Sequence, residues 1–347
     1  LSAVQTGDYL GTGPGATAAI RGLSGAVGRF HPARFALSAN TPLLTDACAA
    51  GAFTYMDQPF TFGVAPVLTV TAQNTAGATT LNYTTSGFFR LNSTLANRHA
   101  ADSAARTLGH SAGGGASAAD TTRGTGIFTL SLPPATAGDH FTYTRGAPEA
   151  PFGASVDLTV PAASLTDTDQ VCFDPNSDKA CDDFSFEGIA GASLRYGRFA
   201  TDNVLGSELL PLAAPVRAEY FSGQGFVRND ADLCTAIPAK ALDLGTGSAD
   251  AEPAQGEPTI AVGGGTSVAG IAHAPLASGL LGLGFSAPGS GNVGELDYRI
   301  DLGIAASEWL RYDWNGDGKL IDDPRGRASF GLYAGPRTVI YQRDMWR

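Results

Sequence analysis

The sequence has few charged residues, and most of those are acidic. Asp, Glu, Lys and Arg make up 16% of its 347 residues, compared with about 25% in ordinary soluble domains. Its 22 Lys and Arg residues are thinly spread, and the net charge is −11. Because phosphate binding needs clustered Lys and Arg, we expect no nucleic-acid partner. The acidic balance fits an exported protein that collects divalent cations, and it fits simple solubility equally well.

Long apolar runs are also missing. None approaches the length of about 18 residues that a membrane helix needs, so we expect no membrane span. The first residues, Leu1–Gln5, lack the basic start of a signal peptide. We therefore expect a mature form or a piece of a longer chain.

Cysteine and histidine are too scarce for zinc or redox motifs. The chain has four Cys and five His, and no Cys-x-x-Cys. Disulfides are then the expected use of the cysteines, which implies an oxidising compartment. Cys172 and Cys181 bracket a short polar loop and are the preferred pair, leaving Cys48 to pair with Cys234. Three connectivities are possible in all.

Helical periodicity is nearly absent, and residues 95–108 predict at most a short helix. Alternating apolar residues predict strands instead, each bounded by Gly, Pro or Asn. These stretches are 35–37, 67–72, 126–132, 155–160, 193–199, 216–221, 296–302 and the segments around Phe330 and Ile340. The pattern predicts an all-β chain of two tandem β-sandwich (immunoglobulin-like) domains with long Gly/Ala-rich loops.

Composition shifts along the chain predict the domain boundaries. The predicted parts are an N-terminal segment or last strand of a preceding module at 1–28, a first β-sandwich at 29–165, a disulfide-closed linker loop at 166–187 and a second β-sandwich at 188–347.

The most specific site pattern lies near the carboxyl end. Oxygen-bearing side chains alternate at Asp313, Asn315 and Asp317, and Gly318 follows, as in a calcium-binding loop. At the twelfth position, where such loops carry Glu, this chain has Pro324. We therefore expect Asp322 or Asp323 to supply the closing carboxylate, with Ca²⁺ as the cofactor. The alternative is a hairpin turn whose Asp and Asn side chains cap backbone amides.

Three other patterns each have a simpler explanation. The weaker Asp174–Asp178 pattern, with Asp182 and Asp183 nearby, is a second cation candidate or a solvated turn. Gly109–Gly113 fits Gly-x-Ser-x-Gly, but no buried strand or helix start flanks it, so we expect a flexible loop and no enzyme. Aromatic side chains near the carboxyl end could stack on sugars or pack in the core: Trp309, Tyr312, Trp314, Phe330 and Tyr333.

Several segments in a fixed order carry a resemblance to a known family: residues 28–35, 53–60, 194–198, 206–212, 217–220 and 309–341. They resemble the C-terminal region of the MshQ-like proteins, which are encoded with the mannose-sensitive haemagglutinin type IV pilus. The resemblance covers about residue 28 to the end. It implies a role in pilus biogenesis or at the cell surface of a Gram-negative bacterium.

Together these observations predict an exported, non-enzymatic, extracellular structural or adhesive protein of the cell surface or pilus, stabilised by calcium and disulfides. Its partners would be pilus or other surface proteins. One alternative is a self-assembling filament subunit that donates a strand from Val4–Leu10 to a neighbouring copy. Another is a lectin-like module that binds a glycan through its Trp and Tyr rings.

Overall fold

A computed structural model describes residues 30–331 apart from 86, 92–94, 120–123, 134–137, 246–253 and 256–257. The predicted segment 1–28, Tyr333 and the strand expected around Ile340 lie outside these residues. The structure is all-β, with 41% of the described residues in strands and 5% in helical turns. Those turns are short 3₁₀ segments at Leu81–Thr84, Ala162–Leu165, Ala239–Ala241 and Glu308–Leu310. The predicted fold class is confirmed.

The first half contains fourteen strands within the described residues. They are β1 Arg34–Ala39, β2 Leu43–Thr45, β3 Thr54–Tyr55, β4 Phe60–Val64, β5 Val67–Gln73, β6 His99–Asp102, β7 Leu108–Ser111, β8 Ser117–Ala119, β9 Ile127–Ser131, β10 His140–Tyr143, β11 Phe152–Gly153, β12 Val156–Val160, β13 Phe184–Ile189 and β14 Ser193–Arg195.

Two four-stranded sheets line the first core, together with a three-stranded sheet of the order β13-β12-β6. One four-stranded sheet has the order β1-β5-β9-β8, and the other has the order β2-β4-β10-β7. Successive side chains of a strand point to opposite faces, so the alternation in β5 buries Leu68 and Val70 on one side. Phe141 from the other sheet joins the same core. Full burial of one such side chain stabilises the fold by about 1.5–3 kcal/mol. Packing the apolar faces of the two four-stranded sheets against each other therefore stabilises a sandwich.

Residues 95–108, where the sequence predicted at most a short helix, contain no helix. This stretch contains β6 and the start of β7, and β6 pairs antiparallel with β12. Its Ala-rich composition offers no apolar helical stripe, whereas the edge of β12 offers unpaired backbone groups that β6 satisfies.

The second half contains twelve strands within the described residues. They are β15 Gly197–Ala200, β16 Val204–Gly206, β17 Leu212–Ala214, β18 Arg217–Phe221, β19 Phe226–Arg228, β20 Leu242–Gly245, β21 Ala254–Gln255, β22 Thr259–Val262, β23 Gly265–Ile271, β24 Leu283–Phe285, β25 Gly294–Ile300 and β26 Arg325–Phe330.

A second core lies between a five-stranded and a four-stranded sheet. Their orders are β16-β26-β25-β20-β21 and β17-β24-β23-β22, and a third sheet has the order β15-β18-β19. Tyr298 from β25, Phe330 from β26 and Phe285 from β24 are almost completely buried there.

The two cores exchange residues across their boundary. Phe53 and Tyr55 belong to the second core although they lie early in the chain, and Tyr196 belongs to the first. The parallel pairing of β3 with β14 brings these segments together. Residues 166–187, where the sequence predicted a linker, contribute Phe186 and the start of β13 to the first core.

Candidate functional site at the junction of the two cores

Two disulfides tie the chain together. Cys48 bonds to Cys234 across a sequence separation of 186, and Cys172 bonds to Cys181 across 9. This is the pairing that the sequence analysis preferred. The Cys48–Cys234 bond links an early segment to the second half, while the Cys172–Cys181 bond closes a local loop. Two disulfides are typical of proteins from non-cytoplasmic, oxidising compartments.

A buried polar network lies beside the longer-range disulfide. The Tyr55 hydroxyl donates to Asp232 Oδ2 at 2.9 Å, and Asn229 Nδ2 donates to the Tyr55 oxygen at 2.6 Å. Asp232 also accepts from Thr235 Oγ1 at 2.7 Å. Burial and the neighbouring Asp232 charge raise the pKa of Tyr55 well above its ordinary value. The hydroxyl therefore stays neutral and remains a donor, which fixes β3 against residues 229–235.

Arg195 covers the same network with its guanidinium group. That group lies 4.7 Å from the centre of the Phe53 ring and 4.8 Å from that of Tyr220. It also donates to Asn229 Oδ1. Ring faces attract a cation most when water is excluded, so these contacts stabilise the packing of the two halves.

Two glycines allow the close approach of the halves. A Cβ on Gly51 would lie 2.2 Å from the Ala231 carbonyl oxygen. A Cβ on Gly197 would lie 2.3 Å from the Tyr55 ring. Real Cβ atoms do not approach other heavy atoms so closely, so any side chain at either position would push the halves apart.

Arg145 makes a second connection across the junction. Its Nε donates to Asp57 Oδ2 at 2.6 Å, and its Nη1 donates to the Gly197 carbonyl at 3.1 Å. The same Nη1 donates to the Arg311 carbonyl at 2.7 Å. Only 2% of the Arg145 side chain is exposed. A buried guanidinium needs its partners to offset the cost of desolvation, so this arrangement holds residue 311 against the first half.

The hairpin that begins just after Arg311 carries the predicted calcium residues. We call residues 312–322 the Asp313 hairpin. Backbone bonds between Tyr312 and Asp322 close it at 3.1 and 3.2 Å. The side chains of Tyr312 and Leu320 pack against the first core. The hairpin therefore bridges from the second half to the first.

A stack of aromatic rings around Arg198 supports the Asp313 hairpin. The guanidinium lies 3.7 Å from the Phe226 ring centre, 5.1 Å from Tyr312 and 5.0 Å from Trp314. Its charge is paired, because Nε donates to Glu219 Oε2 at 2.8 Å.

In the Asp313 hairpin, side-chain oxygens accept hydrogen bonds from the backbone amides of the same loop. Asp313 accepts from the amides of Gly316, Asp317 and Gly318 at 2.7–2.9 Å. Asn315 Oδ1 accepts from the Asp317 amide at 2.8 Å. Asp317 and Asp322 likewise accept from loop amides. These hydrogen bonds are the ones that the alternative prediction, a turn capped by Asp and Asn side chains, requires. They place four oxygen-bearing side chains along one short loop.

The loop beginning at Asp174 has the same hydrogen-bond pattern. Its Asp174 accepts from the amides four and five residues on, as Asp313 does. Asn176 Oδ1 accepts from the Asp178 amide at 3.1 Å. Both loops place their fourth and sixth residues at positive φ: 63° and 72° here, 77° and 84° in the Asp313 hairpin. The two sequence patterns therefore give one local conformation.

The predicted calcium ligands do not all share one place. Asp323 Oδ1 accepts from Arg311 Nε at 2.9 Å and from the Leu302 amide at 3.1 Å, away from the loop caps. Within the described residues, no three His, Cys, Asp or Glu side chains converge in a metal-holding group. The other four predicted ligands, Asp313, Asn315, Asp317 and Asp322, all accept hydrogen bonds from amides of the loop itself.

The aromatic set named in the sequence analysis is divided between the core and the surface. Phe330 is buried, and Trp309 packs against the second core. Trp314 is 42% exposed, and its ring meets that of Tyr312 edge-on at 5.1 Å. Trp314 also lines a cavity with Thr201, Ile321 and Arg325. Of the described rings in that set, Trp314 is the exposed one, and Trp309 and Tyr312 are half-buried.

The Gly-x-Ser-x-Gly stretch does not form a nucleophile elbow. Gly109, His110 and Ser111 lie on β7, which pairs antiparallel with β10. Nε2 of His110 is 2.9 Å from Asp139 Oδ2, and Arg98 Nε donates to that oxygen at 2.8 Å. Burial alone would raise the pKa of Asp139, but the bonds from Arg98 and His110 hold it well below its ordinary value. Neighbouring strand residues face opposite sides, so Ser111 points away from this pair.

Sequence reasoning missed the junction residues themselves. Tyr55, Asp232, Arg145 and Arg198 were not among its site predictions. A usable signal was present in four segments that carried the family resemblance, 53–60, 194–198, 217–220 and 309–341. The first three and the described part of the fourth meet here. Their spatial convergence could have been proposed from that shared property.

Fold and site define a class: an all-β chain of two disulfide-joined, sandwich-type cores. Family models identify it further. Residues 1–188 match the third domain of DUF6701, and residues 195–345 match the fourth. The chain belongs to this family. No curated protein matches it. The two matches meet between residues 188 and 195, next to β14.

Among the residues that the structure describes, no helix is long and apolar enough to cross a membrane.

Proposed function

We propose that this chain is an exported, non-enzymatic structural component of the bacterial cell surface, associated with a type IV pilus and contributing to adhesion. Its resemblance to the MshQ-like proteins supports the pilus association. Its two disulfides support export, because such bonds persist in oxidising compartments.

The observation that carries the proposal is the junction. A disulfide and a buried Tyr55–Asn229–Asp232 network tie an early segment of the chain into the second half, and Arg145 of the first half contacts the Gly197 and Arg311 carbonyls of the second. Domains within one chain ordinarily move relative to each other unless their interface is extensive. A junction of this kind suits a part whose task is to hold a fixed shape outside the cell.

Calcium belongs to the same proposal. Asp313, Asn315, Asp317 and Asp322 would hold the ion, which would neutralise three neighbouring carboxylates. The chain itself keeps the hairpin beside the junction, through Arg198 on its aromatic rings and Arg145 on the Arg311 carbonyl. A bound ion would therefore stiffen the contact between the cores as well as the loop.

Protease treatment of intact cells tests the proposal. The full-length protein carries an epitope tag in the bacterium that makes it, and a cytosolic protein serves as the control for lysis. We expect cleavage of the tagged protein on intact cells, and no alkylation of its cysteines unless a reductant is added. Deletion of its gene should reduce surface pili or adhesion. Protection from protease together with free thiols would contradict the proposal.

A further inference from the structure

A cavity beside the Asp313 hairpin has the size and chemistry of a ligand site. Its volume is about 490 Å³, within the roughly 300–1,000 Å³ of small-molecule sites. Its walls include one aromatic ring, one aliphatic side chain and several polar groups, from Thr201, Trp314, Asn315, Ile321, Asp322 and Arg325.

The ring in this cavity is fixed before any ligand arrives. Arg198 lies 5.0 Å from the centre of the Trp314 ring, and Tyr312 meets it edge-on. The Trp314 amide donates to Asp322 Oδ2 at 3.0 Å, which anchors its backbone. Yet 42% of Trp314 is exposed. A rigid, accessible ring loses little conformational entropy on binding, which favours its use as a platform.

The charges around the ring select among ligand classes. The cavity is lined by two carboxylates, Asp322 and Asp323, and one guanidinium, Arg325, and the whole chain carries −11, so the acidic balance disfavours an anionic ligand. Arg198 on the same ring disfavours a cationic ligand stacked there. A neutral molecule with an apolar face and many hydroxyl groups satisfies both conditions, because its hydroxyls can pair with carboxylate, amide and guanidinium groups.

We propose that this cavity binds a neutral saccharide, with Trp314 beneath a sugar ring and Asn315, Asp322 and Arg325 at its hydroxyls. This site would supply the adhesive part of the proposed function, on which the inference rests. The two remain separable, because surface location and saccharide binding are measured independently.

Binding of the full chain to an array of neutral and sialylated saccharides provides the first test. Calorimetric titration of the best neutral saccharide then compares the parent with Trp314→Ala and Trp314→Phe. Phe88→Ala is the matched control, because Phe88 is 43% exposed and lines a different cavity.

We expect Trp314→Ala to weaken binding about tenfold or more, as loss of about 1.4 kcal/mol would. Trp314→Phe should recover part of the affinity, and Phe88→Ala should leave it unchanged. Binding to no neutral saccharide, preference for sialylated ones, or equal affinity of Trp314→Ala and the parent would each overturn the inference. Protease access on intact cells without saccharide binding would overturn it while leaving the structural proposal in place.

Discussion

The loop at Asp174 and the Asp313 hairpin share one local conformation but are closed in different ways. Each begins with Asp-x-Asn-x-Asp. In both, the side chains of the first Asp and of the Asn accept hydrogen bonds from backbone amides of the same loop. The Asp174 loop is closed covalently by Cys172–Cys181. The Asp313 hairpin is closed by backbone pairing and is pressed against the junction through Tyr312 and Arg198.

This difference shows that the local sequence sets the conformation of the loop, whereas its tertiary contacts set its role in the molecule. Five residues suffice to set the turn, because their side chains bond to amides only two to five residues away. What surrounds the turn decides its effect on the molecule. The Asp174 loop can reorganise without moving the second core, whereas the Asp313 hairpin cannot reorganise without disturbing the contact between cores.

Removing the two disulfides separately should give the largest difference. In the chain-entropy model a cross-link over 186 residues contributes about 5 kcal/mol, and one over 9 residues about 2.5 kcal/mol. We expect Cys48→Ser with Cys234→Ser to lower the free energy of unfolding in urea about twice as much as Cys172→Ser with Cys181→Ser. Equal losses would show that the junction gains nothing special from its disulfide.

The Arg145 contacts give the next largest effect. Arg145→Ala leaves Asp57 and the Arg311 carbonyl without their buried partner, so unfolding should become easier by about 3 kcal/mol. Arg228→Ala is the control, because its pair with Asp230 is exposed and should be worth less than about 1 kcal/mol. Urea unfolding curves measure both. A loss for Arg145→Ala no greater than the control would remove this residue from the junction.

Calcium should distinguish the Asp313 hairpin from a plain turn. An ion that binds only the folded chain stabilises it by about 2.7 kcal/mol at a hundred times its Kd. We expect a chelator to lower the urea midpoint of the parent and to leave Asp313→Ala unchanged. Asp174→Ala serves as the matched control in the twin loop and should keep its response to chelation. A parent with no response would make the hairpin an Asx-capped turn.

The Tyr55 hydroxyl should produce a smaller, pH-dependent effect. Its pKa is raised in the folded state, so its contribution is fully present below the unfolded pKa of about 10 and is lost as the pH rises above that value. Each pH unit in that range costs up to about 1.4 kcal/mol for one such group. We expect Tyr55→Phe to flatten the decline in stability between pH 9 and about 11. An unchanged slope in urea unfolding would contradict this assignment.

The sequence predicted what depends on neighbours in the chain. Strand alternation located β5, β12 and β25 to within a residue or two, because the burial of alternate side chains is visible in short stretches. The Asp-x-Asn-x-Asp patterns indicated cap-forming turns as the alternative to the predicted cation sites for the same reason. For residues 95–108 the sequence predicted at most a short helix but did not predict β6, because only pairing with the distant β12 decides that segment.

Contacts between distant residues could not be predicted in this way. Tyr55 and Asn229 are 174 positions apart, and neither is unusual in its local sequence. Asp323 was grouped with the calcium residues by proximity, yet its oxygen is bonded to Arg311 and the Leu302 amide. One sequence property did point to the junction: several of the segments that meet there carry the family resemblance.

Hydrogen exchange of the full chain tests the central claim, that the junction joins the two cores into one unit, most directly. Amides of β5 report on the first core and amides of β25 on the second. We predict the same free energy of opening for both in the parent, and separate, unequal values once Cys48 and Cys234 are replaced by Ser. Unequal values in the parent, with one core opening while the other stays protected, would contradict the claim.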